Sequence, residues 1–178
     1  IDSDYVLTSP AARNRRFFKN SYFKKKNTSS GTGWHTDARY VQGTRIKPSF
    51  SYFSIITLED FTKNNGATHY VPHSHKLDKR PERKKNYSFK YLEAPAGSII
   101  FLDTALWHKA GKPSEKSRWS IFNMYSSWFI KPYWQFNNMY SNKINKKLGS
   151  KLQQLLHLHS QPPINQNKKR ATLKRVPE

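Results

Sequence analysis

The stretch Ser49–Leu58, with the sequence SFSYFSIITL, decides the fold. Its aromatic and β-branched residues alternate with serines, which is typical of a strand with one face against a core. The same kind of pattern, interrupted by Gly and Pro turns, predicts further strands at Arg16–Phe23, Trp34–Val41, Thr68–Val71, Ser98–Leu102 and Arg118–Tyr125. Ser98–Leu102 reads as a buried strand. Short strands separated by such turns favour an antiparallel barrel or a double-sheet jelly roll.

The segments between and after these strands differ in composition. Asn64–Gly66, Pro95–Gly97 and Gly111–Pro113 are turn signals, and Lys76–Lys90 reads as a polar, basic loop. Asn142–His157 is predicted to be helical, because its leucines recur at helical spacing. A chain of 178 residues is expected to form a single domain. We place its core at about residues 15–135 and a C-terminal helix with a basic tail at about 136–178.

Composition excludes several classes of protein. There is no cysteine, so disulfide scaffolds, cysteine-ligated zinc and thiol nucleophiles are excluded. No apolar run is long enough to span a membrane and no secretory segment opens the chain, so we expect a cytoplasmic protein without a membrane partner. Aromatic residues make up 15% of the chain, which argues against a disordered tail.

The charge raises the question of nucleic acid. The chain has 32 Lys and Arg against 11 Asp and Glu, a net charge of +21. The basic residues cluster in predicted loops and at the ends, and no helix-turn-helix, zinc-finger or RRM signature is present. We therefore expect solvated surface rather than a nucleic-acid site. A basic nucleic-acid-binding β-domain is kept as an alternative.

The candidate chemistry begins at Gly33–Asp37, GWHTD. On a strand, His35 and Asp37 would point to the same face. With His108 from a neighbouring strand they would form a two-histidine, one-carboxylate triad, the arrangement of non-haem Fe(II) oxygenases. The alternative is a structural histidine beside a surface aspartate.

Arg118 and Ser120 open the last predicted strand and share one of its faces. A guanidinium pointing inward there matches a planar carboxylate, such as the distal carboxylate of 2-oxoglutarate, and the serine hydroxyl could bind the same group. In so basic a chain, the alternative is that Arg118 is one surface arginine among many.

Several motifs occur in the order found in one family. Gly33–Asp37 resembles the W-H-x-D segment of the phytanoyl-CoA dioxygenase (PhyH) family. Asn65–Lys76 resembles its N-G-A-L…V-P-G-S-H-K segment, and Ala96–His108 followed by Arg118 resembles its G-D-x…H…R module. The resemblance runs from about residue 15 to near the end of the chain.

The resemblance implies a mainly β fold, a double-stranded β-helix of the jelly-roll or cupin-like kind. It also implies an Fe(II)- and 2-oxoglutarate-dependent dioxygenase that consumes O2 and hydroxylates a small organic substrate. His35, Asp37 and His108 would then hold the iron as the catalytic residues, while Arg118 would bind 2-oxoglutarate.

Three further features of the sequence leave alternatives open. Family members usually carry many more residues before the H-x-D segment, so we expect N-terminal truncation, and a catalytically inactive member is an alternative. His69, His73 and His75 could form a second metal site or be structural, and His73 stands where the family usually has glycine. The basic loop at 76–90 is either a lid favouring an anionic substrate or simply solvated. The sequence does not indicate the oligomeric state.

Overall fold

Antiparallel sheets carry the structure, a computed structural model that describes residues 5–15, 33–38 and 49–158. Within those ranges the strands are β1 (Tyr5–Asn14), β2 (Ser51–Thr57), β3 (His69–Tyr70), β4 (Lys90–Tyr91), β5 (Ile99–Asp103), β6 (His108–Lys109) and β7 (Trp119–Ser127). One sheet has the strand order β1-β7-β2-β5 and the other β4-β3-β6. The predicted mainly β, antiparallel architecture is confirmed.

The chain divides into two compact units. One contains residues 11–122, and the other contains residues 1–10 and 123–178. All the predicted site residues belong to the unit of residues 11–122. A single domain over residues 1–178 stays a prediction.

The stretch that decides the fold forms β2 as predicted and pairs with β5. The register places Ile55 opposite Ile100 and Phe53 opposite Leu102. Ile55 is buried with Phe61 and Ala67, and partly buried residues of both sheets pack against them: Tyr91, Leu92, Ile100, Leu102 and Phe122. The hydrophobic core of this unit therefore contacts both sheets.

The prediction that the strand after Pro95–Gly97 is buried is wrong for two of its five residues. Ile99 and Phe101 are 60% and 62% exposed, while Ile100 and Leu102 are partly buried. Successive side chains of a strand point to opposite faces, and β5 lies at the edge of its sheet. Only one of its two apolar faces therefore reaches the core.

β1 is a strand that the sequence analysis did not predict. Pro10 lies within it, and proline in a strand normally argues against the assignment because it lacks an N–H donor. As the edge strand of its sheet, β1 tolerates this proline. Val6 and Thr8 are buried, and the Thr8 hydroxyl donates to the Met124 carbonyl at 2.9 Å.

The predicted C-terminal helix over Asn142–His157 is wrong in its continuity. The structure has three short helices, α1 (Phe136–Met139), α2 (Asn142–Lys147) and α3 (Ser150–Leu155). Leu148 and Gly149 have extended backbones that separate α2 from α3. Glycine has a low helix propensity, so Gly149 explains the break between the two helices. Within the described ranges, no helix has the length and apolar character needed to cross a membrane.

Other predictions fall partly or wholly outside the described residues. Arg16–Phe23 lies outside them, as do residues 39–41 of the predicted strand Trp34–Val41. Within residues 33–38, the extended structure consists of a single bridge, at His35. The prediction of a regular strand through His35 and Asp37 is therefore wrong over the described part.

Two predicted turns are packed directly against each other. Gly66 has a φ of 84°, in the left-handed region that favours glycine. A Cβ on Gly66 would lie 2.6 Å from the Lys112 carbonyl oxygen, and one on Gly111 would overlap the Ala67 carbonyl oxygen. The turns at Asn64–Gly66 and Gly111–Pro113 therefore approach as bare backbone, which positions the chain that follows His108.

We expect Gly111→Ala to lower the free energy of unfolding by about 3 kcal/mol, because the added methyl group meets backbone that cannot move aside as a side chain would. Gly149→Ala is the matched control, since a Cβ there has no neighbour within 4 Å and should change stability by under about 1 kcal/mol. Urea unfolding of the two variants measures the difference. Equal stabilities would show that the two turns do not pack as described.

Candidate metal centre

His35 and His108 are joined through their backbones. The His35 N–H donates to the His108 carbonyl and the His108 N–H donates to the His35 carbonyl, both at 3.0 Å. This reciprocal pair is an antiparallel bridge that adds residue 35 beside β6, and the centroids of the two imidazole rings lie 4.4 Å apart. β6 is itself held by β3, where Tyr70 is opposite His108. Two histidines distant in sequence thus become neighbours through main-chain hydrogen bonds.

Asp37 is positioned by the chain that follows β5. The N–H groups of Asp37 and Ala38 both donate to the Thr104 carbonyl at 3.0 Å. Thr104 is buried, and its hydroxyl lies 2.6 Å from the Ser51 hydroxyl. Asp103 stabilises the turn before Thr104 and Ala105, because its carboxylate accepts the Ala105 N–H at 2.8 Å. Asp37 is therefore positioned by backbone hydrogen bonds to Thr104 rather than by strand alternation.

The three predicted metal ligands converge. Asp37 Oδ2 lies 3.1 Å from His108 Nε2, and Asp37 Oδ1 lies 4.0 Å from His35 Nε2. One ligand atom from each residue lies within 4.8 Å of the others, and among the described residues this is the group that could hold a metal ion. All three side chains are partly buried.

Hydrogen bonds at the other ring nitrogens determine the tautomers. His35 Nδ1 lies 2.9 Å from the Gly33 carbonyl, and His108 Nδ1 lies 2.8 Å from the Leu106 carbonyl. A carbonyl only accepts, so each Nδ1 carries a proton. In the neutral rings each Nε2 then has its lone pair toward the shared centre, which is the arrangement of metal-ligating histidines. The donor set fits a divalent first-row metal.

The titration of the group follows from its packing. Burial alone would raise the pKa of Asp37, but the hydrogen bond and charge of His108, then the charges of His35 and Arg13, lower it overall. Burial alone would lower the pKa of His108, but the hydrogen bond and charge of Asp37 raise it overall. Without a metal, Asp37 and His108 therefore favour an ion pair, and a bound cation would replace the proton on His108.

Arg118 is buried, contrary to the alternative of a surface arginine. It is 5% exposed, and its guanidinium carbon lies 4.1 Å from the centroid of the Phe61 ring. Within the described ranges, its buried Nε and Nη1 have no hydrogen-bond partner. Burial, and then the charge of Arg15, lower the pKa of Arg118 to about 10. A buried guanidinium with free donors is an incomplete site, suited to an anion.

Ser120 is buried two residues after Arg118. Its hydroxyl donates to the Arg13 carbonyl at 3.4 Å, a long hydrogen bond. Strand alternation places Ser120 on the same face as Arg118. Its predicted role beside Arg118 stays a prediction.

The His69, His73 and His75 cluster does not come together as a metal site in the described structure. His69 stacks on Phe89 with ring centroids 4.5 Å apart, and His73 and His75 are exposed. His73 has a φ of 61°, so it adopts the left-handed backbone that glycine favours. The structural interpretation of these histidines agrees with this arrangement.

The basic loop at 76–90 is a loop as predicted, with β4 beginning at Lys90. The loop is attached to the residue that precedes His35, because the Trp34 N–H donates to the Arg83 carbonyl at 3.0 Å. The Trp107 indole N–H also donates to the Lys79 carbonyl, at 3.2 Å. Its role as a lid stays a prediction.

Arg13 is a charged neighbour of the centre that the sequence analysis missed. It is one of the causes that shift the pKa values of Asp37 and His108, after burial and the interaction between those two residues. Its guanidinium carbon lies 4.9 Å from the centroid of the Phe122 ring. No signal in the sequence could have placed it there, because β1 itself was not recognised.

Comparison with known proteins places this site in context. The family model of phytanoyl-CoA dioxygenase (PhyH) matches residues 2–120, well over half of the chain. Among curated proteins, dioxygenase af480 of Aspergillus fumigatus is 30% identical over 106 residues, which cover 57% of this chain and 34% of that protein. An uncharacterised protein of Mycobacterium tuberculosis is 28% identical over 115 residues, covering 62% and 41%. The chain spans well under half the length of these relatives.

Solved structures share the fold. AviO1 from Streptomyces viridochromogenes matches with a TM-score of 0.53 and 20% identity, over 72% of this chain and 53% of that chain. HygX from Streptomyces hygroscopicus, solved with nickel and 2-oxoglutarate bound, matches with a TM-score of 0.52 and 17% identity, over 72% and 60%. At these identities the likeness shows the fold, a cupin-like double-stranded β-helix, which confirms the predicted fold class.

We expect Asp37→Ala and His108→Ala each to weaken Co(II) binding by about 100-fold or more. Loss of an outer hydrogen-bond partner of a metal ligand already costs about 10- to 100-fold, so loss of a ligand should cost at least as much. His75→Ala removes an exposed histidine and is the control. Isothermal titration calorimetry measures all three, and equal affinities for Asp37→Ala and His75→Ala would contradict the ligand assignment.

Proposed function

Because this chain belongs to the phytanoyl-CoA dioxygenase (PhyH) family, we propose that it is an Fe(II)- and 2-oxoglutarate-dependent dioxygenase that hydroxylates a small organic substrate. The observation that carries the proposal is the convergence of His35, Asp37 and His108, whose ligand atoms lie within 4.8 Å of one another. The whole activity is part of the proposal, because the match covers only 34% and 41% of the lengths of these relatives.

The two histidines and the aspartate would hold iron from one side. Two neutral Nε2 atoms and one carboxylate oxygen are the donor set of the facial triad, which leaves coordination positions open for other ligands. Iron bound there supplies the O2 chemistry that side chains cannot perform. The task of this chain is to hold those donors at fixed positions. The carbonyls of Gly33 and Leu106 do so by orienting the two rings.

Arg118 would bind the distal carboxylate of 2-oxoglutarate. Its Nε and Nη1 donors, which have no partner among the described residues, can each donate a charge-assisted hydrogen bond to an anionic ligand. The Phe61 ring covers the guanidinium and keeps water from competing for it. Ser120 would add a hydroxyl contact on the same strand face, in place of its long hydrogen bond to the Arg13 carbonyl.

The convergence of the three candidate metal ligands and the burial of Arg118 favour an active enzyme over an inactive family member. A chain that had lost the activity would have no need to keep a buried guanidinium with donors unpaired among the described residues, because such a group costs stability. HygX, which shares the fold, has been solved with iron bound and with nickel and 2-oxoglutarate bound. These two observations support the proposed cofactors, Fe(II) and 2-oxoglutarate with O2.

The decisive experiment is an anaerobic titration of the chain with Fe(II) and then 2-oxoglutarate. We expect a weak visible charge-transfer band that appears only when both are present, because 2-oxoglutarate must coordinate the iron to produce it. Asp37→Ala, which lacks one ligand, should show no band. A folded wild-type sample without the band would overturn the proposed function.

We expect Arg118→Met to weaken 2-oxoglutarate binding by roughly 2–4 kcal/mol, or about 30- to 1000-fold, and to leave Co(II) affinity unchanged. The free protein should become no less stable, since the substitution keeps the volume and removes a buried charge that has no partner among the described residues. Arg118→Lys should recover only part of the affinity, because an ammonium lacks the planar fork. Calorimetry and thermal unfolding measure both effects.

A purely structural Arg118 makes the opposite forecast. If its contact with Phe61 mainly stabilises the fold, Arg118→Met should lower the melting temperature and leave 2-oxoglutarate affinity as it was.

A further inference from the structure

Phe122 is the third residue, after Arg118 and Ser120, of a row of inward-facing residues that starts one residue before β7 and continues along it. Arg118, Ser120 and Phe122 are each two residues apart, so their side chains share one face of the strand. Phe122 packs against the buried core of its unit and makes an edge contact with Phe53 at 6.4 Å between ring centroids. Four residues of strand separate Arg118 from Phe122 by about 13 Å. The proposed 2-oxoglutarate anchor is therefore at one end of this face, and an apolar ring at the other.

Arg13 brings a second positive charge to that other end. Its guanidinium carbon lies 4.9 Å from the centroid of the Phe122 ring. A guanidinium beside an aromatic ring keeps N–H donors at its edge that can bind a ligand. Arg13 is exposed, and no ion pair among the described residues involves it. Its donors are therefore accessible.

Arg13 is also tied through the backbone to the residues of the proposed cosubstrate site. The backbone of Arg13 is held in place by the Ser120 hydroxyl, and its neighbour Asn14 accepts the Arg118 N–H at 3.1 Å. β1 thus fixes Arg13 beside the same strand face that carries Arg118.

The net charge of the site with iron and 2-oxoglutarate bound indicates the charge of a further ligand. A divalent iron, the Asp37 carboxylate, a doubly negative 2-oxoglutarate and the Arg118 guanidinium cancel one another. Arg13 is a further positive charge, in a protein whose net charge is +21. Such a field attracts an anionic molecule and raises its rate of encounter.

We propose that Arg13 binds the anionic group of the primary substrate, a small organic compound that carries a carboxylate or phosphate and has an apolar body that contacts Phe122. This inference rests on the proposed function, because only that function makes the bound anion a substrate. The binding of an anion at Arg13 does not itself require the metal. Arg13 is then the residue that selects the substrate, while Arg118 selects the cosubstrate.

The test uses three probes with a similar phenyl body and different head groups: phenylacetate, phenyl phosphate and 2-phenylethanol. We expect the two anions to bind the chain more tightly than the alcohol at physiological salt, and the tighter anion identifies the head group. Arg13→Ala should weaken the binding of both anions by about tenfold, because it removes a charged hydrogen bond at an exposed site. It should leave the alcohol unchanged, and Arg13→Lys should lie between the two.

Two controls separate the alternatives. Lys116→Ala removes an exposed positive charge elsewhere and should bind the anions as the wild type does, so an equal loss in this variant would mean a general charge effect and overturn the proposal. Arg13→Ala should bind 2-oxoglutarate normally in the Fe(II)-loaded protein. A loss as large as that of Arg118→Met would instead place Arg13 in the cosubstrate site, which also overturns the proposal.

The probe titrations are made by calorimetry on the metal-free chain and repeated with Fe(II) and 2-oxoglutarate without O2. Anion binding that depends on Arg13 but appears without the charge-transfer band would support the anion site and reject the dioxygenase function. A band together with anion binding that ignores Arg13→Ala, or with no anion binding at all, would support the function and reject this inference.

Discussion

The reciprocal hydrogen bonds between the backbones of His35 and His108 are the interaction on which the candidate site depends. Each histidine donates its N–H to the carbonyl of the other at 3.0 Å. The two rings are then adjacent without any need for their side chains to attract each other, which two potential cations would not do. Asp37 follows two residues later and is held by the Thr104 carbonyl. The metal-binding geometry is thus a property of the main chain.

The same unit contains a buried charge with two unpaired hydrogen-bond donors among the described residues. Arg118 is buried against Phe61, and burial lowers the pKa of Arg118 to about 10. Its Nε and Nη1 donors lack partners within the described part of the chain, and an unsatisfied buried group typically costs about 1–3 kcal/mol, more when charged. An anionic ligand would remove that cost on binding. In the proposed function, this arrangement would exchange stability of the free protein for affinity, as binding sites often do.

The predictions from sequence succeeded where the chemistry is local and failed where distant segments decide. Ser49–Leu58 has the alternation of a strand and forms β2. The triad residues were identified correctly as a group that converges, but by a wrong route, because residues 33–38 form a single bridge rather than a strand. β1 was missed because Pro10 argues against a strand, and only its position at a sheet edge makes the proline acceptable.

The sequence by itself determined the class of fold, the residue types of the candidate metal centre and the family motifs, because periodicity, turn residues and ligand chemistry are properties of short segments. Only the tertiary structure decided that Arg118 is buried with two donors unpaired among the described residues, that Ile99 and Phe101 face outward, and that Arg13 lies over Phe122. Burial and side-chain partners depend on which strands pair and which face each one presents to the core. These depend on contacts between residues about a hundred positions apart, which no local pattern contains.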